Sequence, residues 1–418
     1  MNILVIGQGG REHAIAWKLS QSKKASKIFV SPGNGGTELE SDCTNVEIDT
    51  NDFSSIKNFV EHNAIEVVIV GPEDPLVNGI KDYLSESNVL VFGPDKKGAR
   101  LEGSKIFSKK FLFENNIPTG DASFFSSSDD AIKYLKNSIF PIVLKADGLA
   151  AGKGVLVAKK FDEAKNWVNE VMNNLKFGDA GSNIVIEECL FGTELSYMGI
   201  LTPDSFIPFE TSLDYKPLLD GNKGPNTGGM GCIAPSPLIN ESLKKNIFEM
   251  VVKPTINGLR NIGVNYFGFM YFGLMIKNDI PKVLEFNCRL GDPETQCLMM
   301  QMKSDLLDII LQALERGEPK ITWNKGANLG VVIASGGYPN NYQRNKLIKL
   351  SRFDGVKLFH AGTKIVEGKL ITNGGRVFSL NASSKTIKSC KEAVYTNIKN
   401  VYFEDMIFRK DIGEVYES

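Results

Sequence analysis

Within its first hundred residues the chain repeats one device: a short, unbroken apolar run that stops at glycine. It occurs as "NILVIG" (2–7), "EVVIVG" (66–71) and "VLVFG" (89–93). Between these runs lie "REHAIAWKLSQS" (11–22), "FSSIKNFVEHN" (53–63) and "LVNGIKDYLSES" (76–87), each with helical periodicity, and a further strand-like "KIFV" (27–30). An apolar run without alternation suits a strand buried on both faces, and such strands need helices to cover them. The spacing therefore predicts βαβ units and a parallel sheet wrapped by helices.

Past Pro94 the pattern changes. The chain has 418 residues, too many for one ordinary core, so further domains are expected. "SKIFSKKFLFENN" (104–116) reads as a helix stopped by Pro118. Two strands flank a glycine-rich loop in "IFPIVLKADGLAAGKGVLVA" (139–158), and "FDEAKNWVNEVMNNL" (161–175) is an amphipathic helix. "NIVIEECL" (183–190) and "TELSYMGIL" (193–201) follow as strands. The stretch 214–237 lacks periodicity altogether and is expected to be a long loop, which in a compact domain is more often functional than idle. A helix over 241–261 and the strands "YFGFMYFGLMIK" and "PKVLEFN" close the middle region. From Asn328 short strands and turns lead to a final helix near 384–399.

Composition narrows the function class. With 23% charged residues and a net charge of -1, neither sign dominates, which argues against a nucleic-acid or membrane partner. The six cysteines form no Cys-x-x-Cys pair, and they read as reduced thiols of a cytoplasmic protein. No signal peptide and no run of transmembrane length is recognised.

Four segments carry candidate chemistry. "GQGGREH" (7–13) lies between strand and helix, where glycine-exposed amides bind anions. Its sixth position is Glu12 rather than glycine, so a dinucleotide fits poorly; a phosphate-bearing substrate or a merely tight turn remains. "LKADGLAAGKGV" (144–155) sets Lys145 and Lys153 around mobile backbone that could close over a polyphosphate, although a plain hairpin turn reads equally well. In "IVIEECLFGTE" (184–194) a strand edge and its carboxylates could meet adenine and ribose. Finally, if "VLEFNCRLGDPETQ" (283–296) begins as a strand, Glu285, Asn287 and Arg289 share one face. Two oxygen ligands side by side suit Mg²⁺, and a neighbouring guanidinium suits the phosphoryl group such a metal holds.

Taken in order, "GQGGREH", "VGPEDPL", "LEGSK", "LKADGLAAGKGV", "GPNTGGMG", "EFNCRLGDPETQ" and "NGGRVF" resemble the ATP-grasp superfamily and, within it, the phosphoribosylamine–glycine ligases. The resemblance implies an α/β ATP-grasp enzyme in three parts. These are an N-terminal Rossmann-like domain (1–101), a two-lobed ATP-grasp core (102–325, with a small mobile lobe at about 119–191) and a small mixed α/β C-terminal domain (326–418). It implies ATP with Mg²⁺ (or Mn²⁺), with phosphoribosylamine and glycine as the other small-molecule substrates, and a monomer. Lys105, Lys145, Lys153 and Gly154 would meet the phosphates. Glu187, Glu188 and Leu190 would meet adenine, and Glu194 the ribose. Glu285 and Asn287 would hold the metal, while Arg289, Lys145 and Asp292 would serve catalysis. Gly9, Gly10, Arg11 and Asn34 become candidates for the ribosyl phosphate, and Asp214, Lys216, Asn226, Thr227 and Gly228 for the acceptor substrates. Two departures stand out. Leu213, Tyr215 and Pro217 replace residues the family usually carries as Gln, His and Arg, and "YFGLM" (271–275) lacks the acidic metal ligand common on that strand. Another ATP-grasp ligase or carboxylase is the alternative, with a nucleotide sensor or dehydrogenase more distant.

Overall fold

The computed structural model describes residues 1–150 and 154–414. The N-terminal alternation becomes β1 (Asn2–Gly7), α1 (Gly10–Leu19), β2 (Lys27–Pro32), β3 (Cys43–Asn45), α2 (Phe53–His62), β4 (Ile65–Val70), α3 (Glu73–Asn78), α4 (Ile80–Tyr83) and β5 (Leu90–Phe92). The five strands form a parallel sheet in the order β3-β2-β1-β4-β5. One expected helix is broken: "LVNGIKDYLSES" divides at Gly79, whose φ of +91° is open to glycine and strained for other residues. Two helices, α5 (Lys96–Gly103) and α6 (Lys105–Glu114), lead onward, each capped by an N-terminal side chain, Asp95 and Ser104.

A small lobe follows: β6 (Ala122–Phe125), α7 (Ser128–Leu135), β7 (Ile142–Ala146), β8 (Val155–Ala158), α8 (Phe161–Val168) and β9 (Ile184–Glu188). Its four strands pair antiparallel in the order β6-β9-β7-β8 and enclose a core of their own around Leu144, Trp167 and Ile186. The larger lobe begins with β10 (Thr193–Leu201) and β11 (Phe206–Pro208).

The span 214–237 is not the featureless loop its sequence suggests. It holds β12 (Leu213–Asp214), a hairpin of β13 (Pro217–Leu219) and β14 (Lys223–Asn226), and β15 (Gly231–Ala234). Strands of two to four residues are shorter than the window in which alternation can be read, and β15 is buried throughout, so no period exists to find. Helices α9 (Glu241–Ile247) and α10 (Lys253–Asn261) precede β16 (Gly268–Lys277) and β17 (Ile280–Asn287). These complete a second antiparallel sheet, β11-β10-β16-β17. After α11 (Glu294–Gln301) and α12 (Leu306–Leu314), β18 (Ala327–Ser335) anchors the last sheet. That sheet takes β12 and β15 from the earlier chain and pairs β18 with Arg376–Ser384. No helix among the described residues is long and apolar enough to cross a membrane.

The N- and C-terminal parts are joined through a buried polar cluster. His13 on α1 holds Glu40 through Nε2 at 2.8 Å and accepts the His360 amide through Nδ1 at 2.8 Å, while Lys357 reaches Glu40 at 2.5 Å. Burial, then the His13 ring and Lys357, push His360 down to about 3 against the pull of Glu40; burial likewise lowers His13. Below pH 6.5 the unfolded chain binds protons that the folded histidines refuse. Stability contributed by His360 is complete above that pH and falls by up to about 1.4 kcal/mol per unit toward pH 3. Denaturant unfolding of His360→Asn between pH 7.5 and 5 is expected to show a shallower pH slope than the parent; equal slopes would remove His360 as the source.

Candidate active site

The cleft lies where β7 and β9 of the small lobe face the end of β17. Cross-strand pairing of Val143 with Glu187 puts Lys145 diagonally opposite Glu187 on the same face. Lys145 Nζ reaches Glu187 Oε2 at 3.0 Å and donates to the Leu284 carbonyl at 3.1 Å. A second lysine, Lys109 on α6, reaches the same oxygen at 3.1 Å. Glu187 Oε1 is buried and has no partner among the described residues. An unpaired buried acceptor costs about 1–3 kcal/mol, so this atom marks a place for a donor from outside the chain.

On the other wall, β17 and the residues just after it bring the Glu285, Asn287 and Arg289 side chains together. Asn287 Nδ2 lies 3.4 Å from Glu285 Oε1, and Lys105, the first residue of α6, lies 3.5 Å from Glu285 Oε2. Burial opposes ionisation of Glu285, but Lys105, Lys216 and Lys145 outweigh it and hold the carboxyl down at about 2. It is a committed anion with an ammonium beside it, which is the electrostatic setting a divalent cation would take over.

Arg289 is differently placed from what the sequence implies. Its Nε bonds Glu73 at 2.9 Å, its Nη2 lies 3.0 Å from Glu102 and 3.3 Å from Asn287 Oδ1, and its Nη1 donates to the Leu290 carbonyl at 3.2 Å. A guanidinium has five N–H groups, so one remains for a ligand. The two carboxylates divide unequally. Arg289 first, against burial, holds Glu73 down at about 2, whereas burial pushes Glu102 up to about 7 despite the shared guanidinium. The other Glu102 oxygen accepts the Cys288 amide at 2.7 Å, pinning the end of β17.

Glycine-rich backbone closes the cleft between these walls. Its first polar residue, Asp147, accepts from Ser104 Oγ at 2.8 Å and from the Ile106 amide at 3.1 Å, fastening the loop to the start of α6. Glu73, Glu102, Lys105, Gly148, Gly154, Glu285, Asn287 and Arg289 line a space of about 120 Å³. Ligand pockets commonly measure about 300–1,000 Å³, so this space alone does not hold a nucleotide. A larger open depression of about 730 Å³, beside Arg352, Asp354 and Lys399, gathers none of these groups. Lys153 lies outside the described residues.

Beyond the cleft, "GQGGREH" meets the start of α11. A Cβ on Gly10 would come within 2.4 Å of Gln296 Nε2, so a larger residue there requires the Gln296 side chain to move. The expected anion site at this loop is filled by the chain itself, because Glu12 Oε2 accepts the Gly9 amide at 2.6 Å and its other oxygen pairs with Arg11. Asn34 is also committed: its amide donates to the Gln8 and His360 carbonyls at 2.9 Å, and its oxygen accepts from Gly36 and Thr37. Asp292 is held by Gln296 at 2.8 Å and by Arg376 at 3.3 Å. Lys216 pairs with Glu194, and Thr227 Oγ1 donates to the Lys216 carbonyl at 2.7 Å. Half-buried Asp214, its Oδ1 out of reach of solvent, is pushed well up, first by burial and then by nearby Glu294; at Gly229, φ is +112° and a Cβ would meet Asp214 Oδ1 at 2.6 Å. Asn226 is exposed on the hairpin, and Glu188 turns outward toward Lys282 at 3.5 Å.

Sequence reasoning missed Lys109, Glu73, Glu102, Glu294 and Arg376. Four of these sit in segments already singled out, "VGPEDPL", "LEGSK", "GDPETQ" and "NGGRVF". Lys109 had only its place one turn after Lys105 to suggest it.

A small antiparallel lobe whose Lys145 and Glu187 stand against a strand end carrying Glu285 and Asn287 is the arrangement of an ATP-grasp enzyme. The chain belongs to the phosphoribosylglycinamide synthetase family: residues 1–102 match its N domain, 103–295 its ATP-grasp (A) domain and 328–415 its C domain. It is 44% identical to the phosphoribosylamine–glycine ligase of Escherichia coli over 99% of this chain and 98% of that one. The Vibrio parahaemolyticus ligase is 43% identical with the same coverage. A crystal structure of the ligase from Thermotoga maritima superposes with a TM-score of 0.86 at 33% identity, covering 99% of this chain and 100% of its own.

Replacing Arg289 by Met would leave Glu73 and Glu102 facing each other out of water. The expected cost is about 3–5 kcal/mol of stability, measured by denaturant unfolding at pH 8. A loss below about 1 kcal/mol would mean that water already neutralises the pair.

Proposed function

We propose that this protein joins 5-phospho-β-D-ribosylamine to glycine at the expense of ATP, giving glycinamide ribonucleotide, ADP and phosphate in purine biosynthesis. One observation carries the reading: full-length likeness to phosphoribosylamine–glycine ligases, in a chain whose cleft gathers Lys105 and Lys145 opposite Glu285 and Asn287. Glycine's carboxylate is a poor electrophile, so it first attacks the γ-phosphorus, releasing ADP and forming glycyl phosphate. The ribosylamine nitrogen then attacks the acyl carbon and phosphate leaves. No protein nucleophile is required, and the chain's work is positioning and charge compensation.

In this reading Lys105 and Lys145, with Lys153 and Gly154 of the loop, meet the phosphates. Glu187 and the backbone at Glu188 and Leu190 meet adenine, and Glu194 the ribose. Glu285 and Asn287 would hold Mg²⁺ (or Mn²⁺), which supplies charge neutralisation on the phosphate oxygens. Two protein oxygens suffice for a metal that ordinarily completes its shell with water and phosphate. Arg289 acts through its one available N–H and through its hold on Asn287. Gly9, Gly10, Arg11 and Asn34 line the ribosylamine side, where Glu12 on the Gly9 amide and the present partners of Asn34 give way to the ribosyl phosphate. Asp214, Lys216, Asn226, Thr227, Gly228 and Asp292 face the acceptor substrates.

The division at residues 102 and 325 belongs with this reading, with 119–191 swinging as the small lobe, because the cleft is narrower than a nucleotide requires. A monomer in the cytoplasm is part of it as well, six free thiols suiting a reducing compartment.

ADP release is expected only when glycine and phosphoribosylamine are both supplied with ATP and Mg²⁺; ADP formed without glycine would reject the assignment. Glu285→Gln should lower turnover on the order of 10²-fold with unchanged unfolding, since the wall loses its charge but not its shape. Undiminished turnover at saturating Mg²⁺ would remove Glu285 from the site.

A further inference from the structure

Three ammonium groups surround this cleft, and they are not equivalent. Lys105 has one carboxylate neighbour, Glu285, at 3.5 Å. Lys145 uses two donors, on Glu187 and on the Leu284 carbonyl, and keeps one for a ligand. Lys109 is 3% exposed, and its three N–H groups are matched by three acceptors: Thr119 Oγ1 at 2.6 Å, the Gly120 carbonyl at 3.1 Å and Glu187 Oε2 at 3.1 Å. Lys109 therefore has nothing left for a phosphate. What it does is fix one oxygen of Glu187 while the other, Oε1, stays buried and unpartnered among the described residues. Thr119 in turn donates to the Val283 carbonyl at 2.7 Å, so the contact is anchored to β17 as well.

Resting on the adenine role given above to Glu187, we infer that Lys109 is a specificity-positioning residue: by holding Oε2 it aims Glu187 so that Oε1 accepts from a 6-amino purine and repels a 6-oxo purine. An ionised carboxylate can only accept. Adenine offers an N–H at position 6, whereas hypoxanthine offers a carbonyl oxygen there, so two acceptors would meet and both would go unpaired. Without Lys109 the buried carboxylate loses half of its cationic compensation. Oε1 is then no longer fixed toward the base, and the side chain can turn its acceptors away from a 6-oxo group.

The test compares ATP with inosine triphosphate, which differs at the site in question, in the glycine- and phosphoribosylamine-dependent release of nucleoside diphosphate. For Lys109→Met the preference in kcat/KM for ATP is expected to shrink roughly tenfold or more, mainly through KM, because the reacting phosphate is distant from the base. Lys109→Arg should restore most of the preference, and Thr119→Val, which removes an anchor of the same lysine, should weaken it in part. Should Lys109→Met not fold, Lys109→Gln keeps a donor without the charge and is expected to lose part of the preference. An unchanged ATP preference in the folded variants would overturn the inference and reduce Lys109 to a packing contact between the lobes. That outcome is separable from failure of the ligase assignment, in which the parent protein itself would release no glycine-dependent ADP.

Discussion

A guanidinium taken out of water must be compensated where it lies, and Arg289 is compensated by carboxylates from another part of the chain. Glu73 begins α3 and Glu102 lies near the end of α5, both before the ATP-grasp segment; Arg289 follows β17. This largely buried set of two carboxyls and one guanidinium locks the N-terminal sheet's surroundings to the end of the strand carrying Glu285 and Asn287. Its geometry is what places the carboxamide, because Arg289 Nη2 fixes Asn287 Oδ1 while Glu102 takes the neighbouring amide. Breaking such a set strands charge in a medium that cannot solvate it, so the three residues act as one part.

The same logic sorts the lysines. A buried ammonium needs three acceptors, and the number it finds inside the protein determines how much of it is available to a substrate. Lys109 is saturated by the two chain segments that enter and leave the small lobe, while Lys145 and Lys105 are not. Through Lys109 and Lys145 the small lobe is tied to α6 and to β17. Fixed charges that need no rearrangement at the moment of reaction are the economical way to stabilise a transferring phosphoryl group.

Much of this was legible beforehand. The parallel sheet followed from apolar runs ending in glycine, and the shared face of Glu285, Asn287 and Arg289 followed from the two-residue period of a strand. What was illegible had physical causes. The strands inside 214–237 are too short to show a period, and two of them complete a sheet whose other members lie a hundred residues later. The helix over 76–87 divides because Gly79 adopts a left-handed backbone that periodicity does not register. The glycine loop near Gly9 looks ready for an anion, yet Glu12 supplies one from the next turn. The Asn34 side chain, read as a phosphate ligand, donates here to carbonyls of two distant segments.

By itself the sequence determined the periodicities, and with them the strands, most helices and the residue types available for chemistry, because these depend on neighbours a few positions apart. Only the tertiary structure decided which charges would be paired. Whether Arg289 has one free N–H or five, whether Glu12 or a ligand fills the glycine cradle, and whether Lys109 or Lys145 faces the cleft all depend on groups brought together from far along the chain. Pairing energies are set by separation and burial, and neither quantity is written in the order of residues.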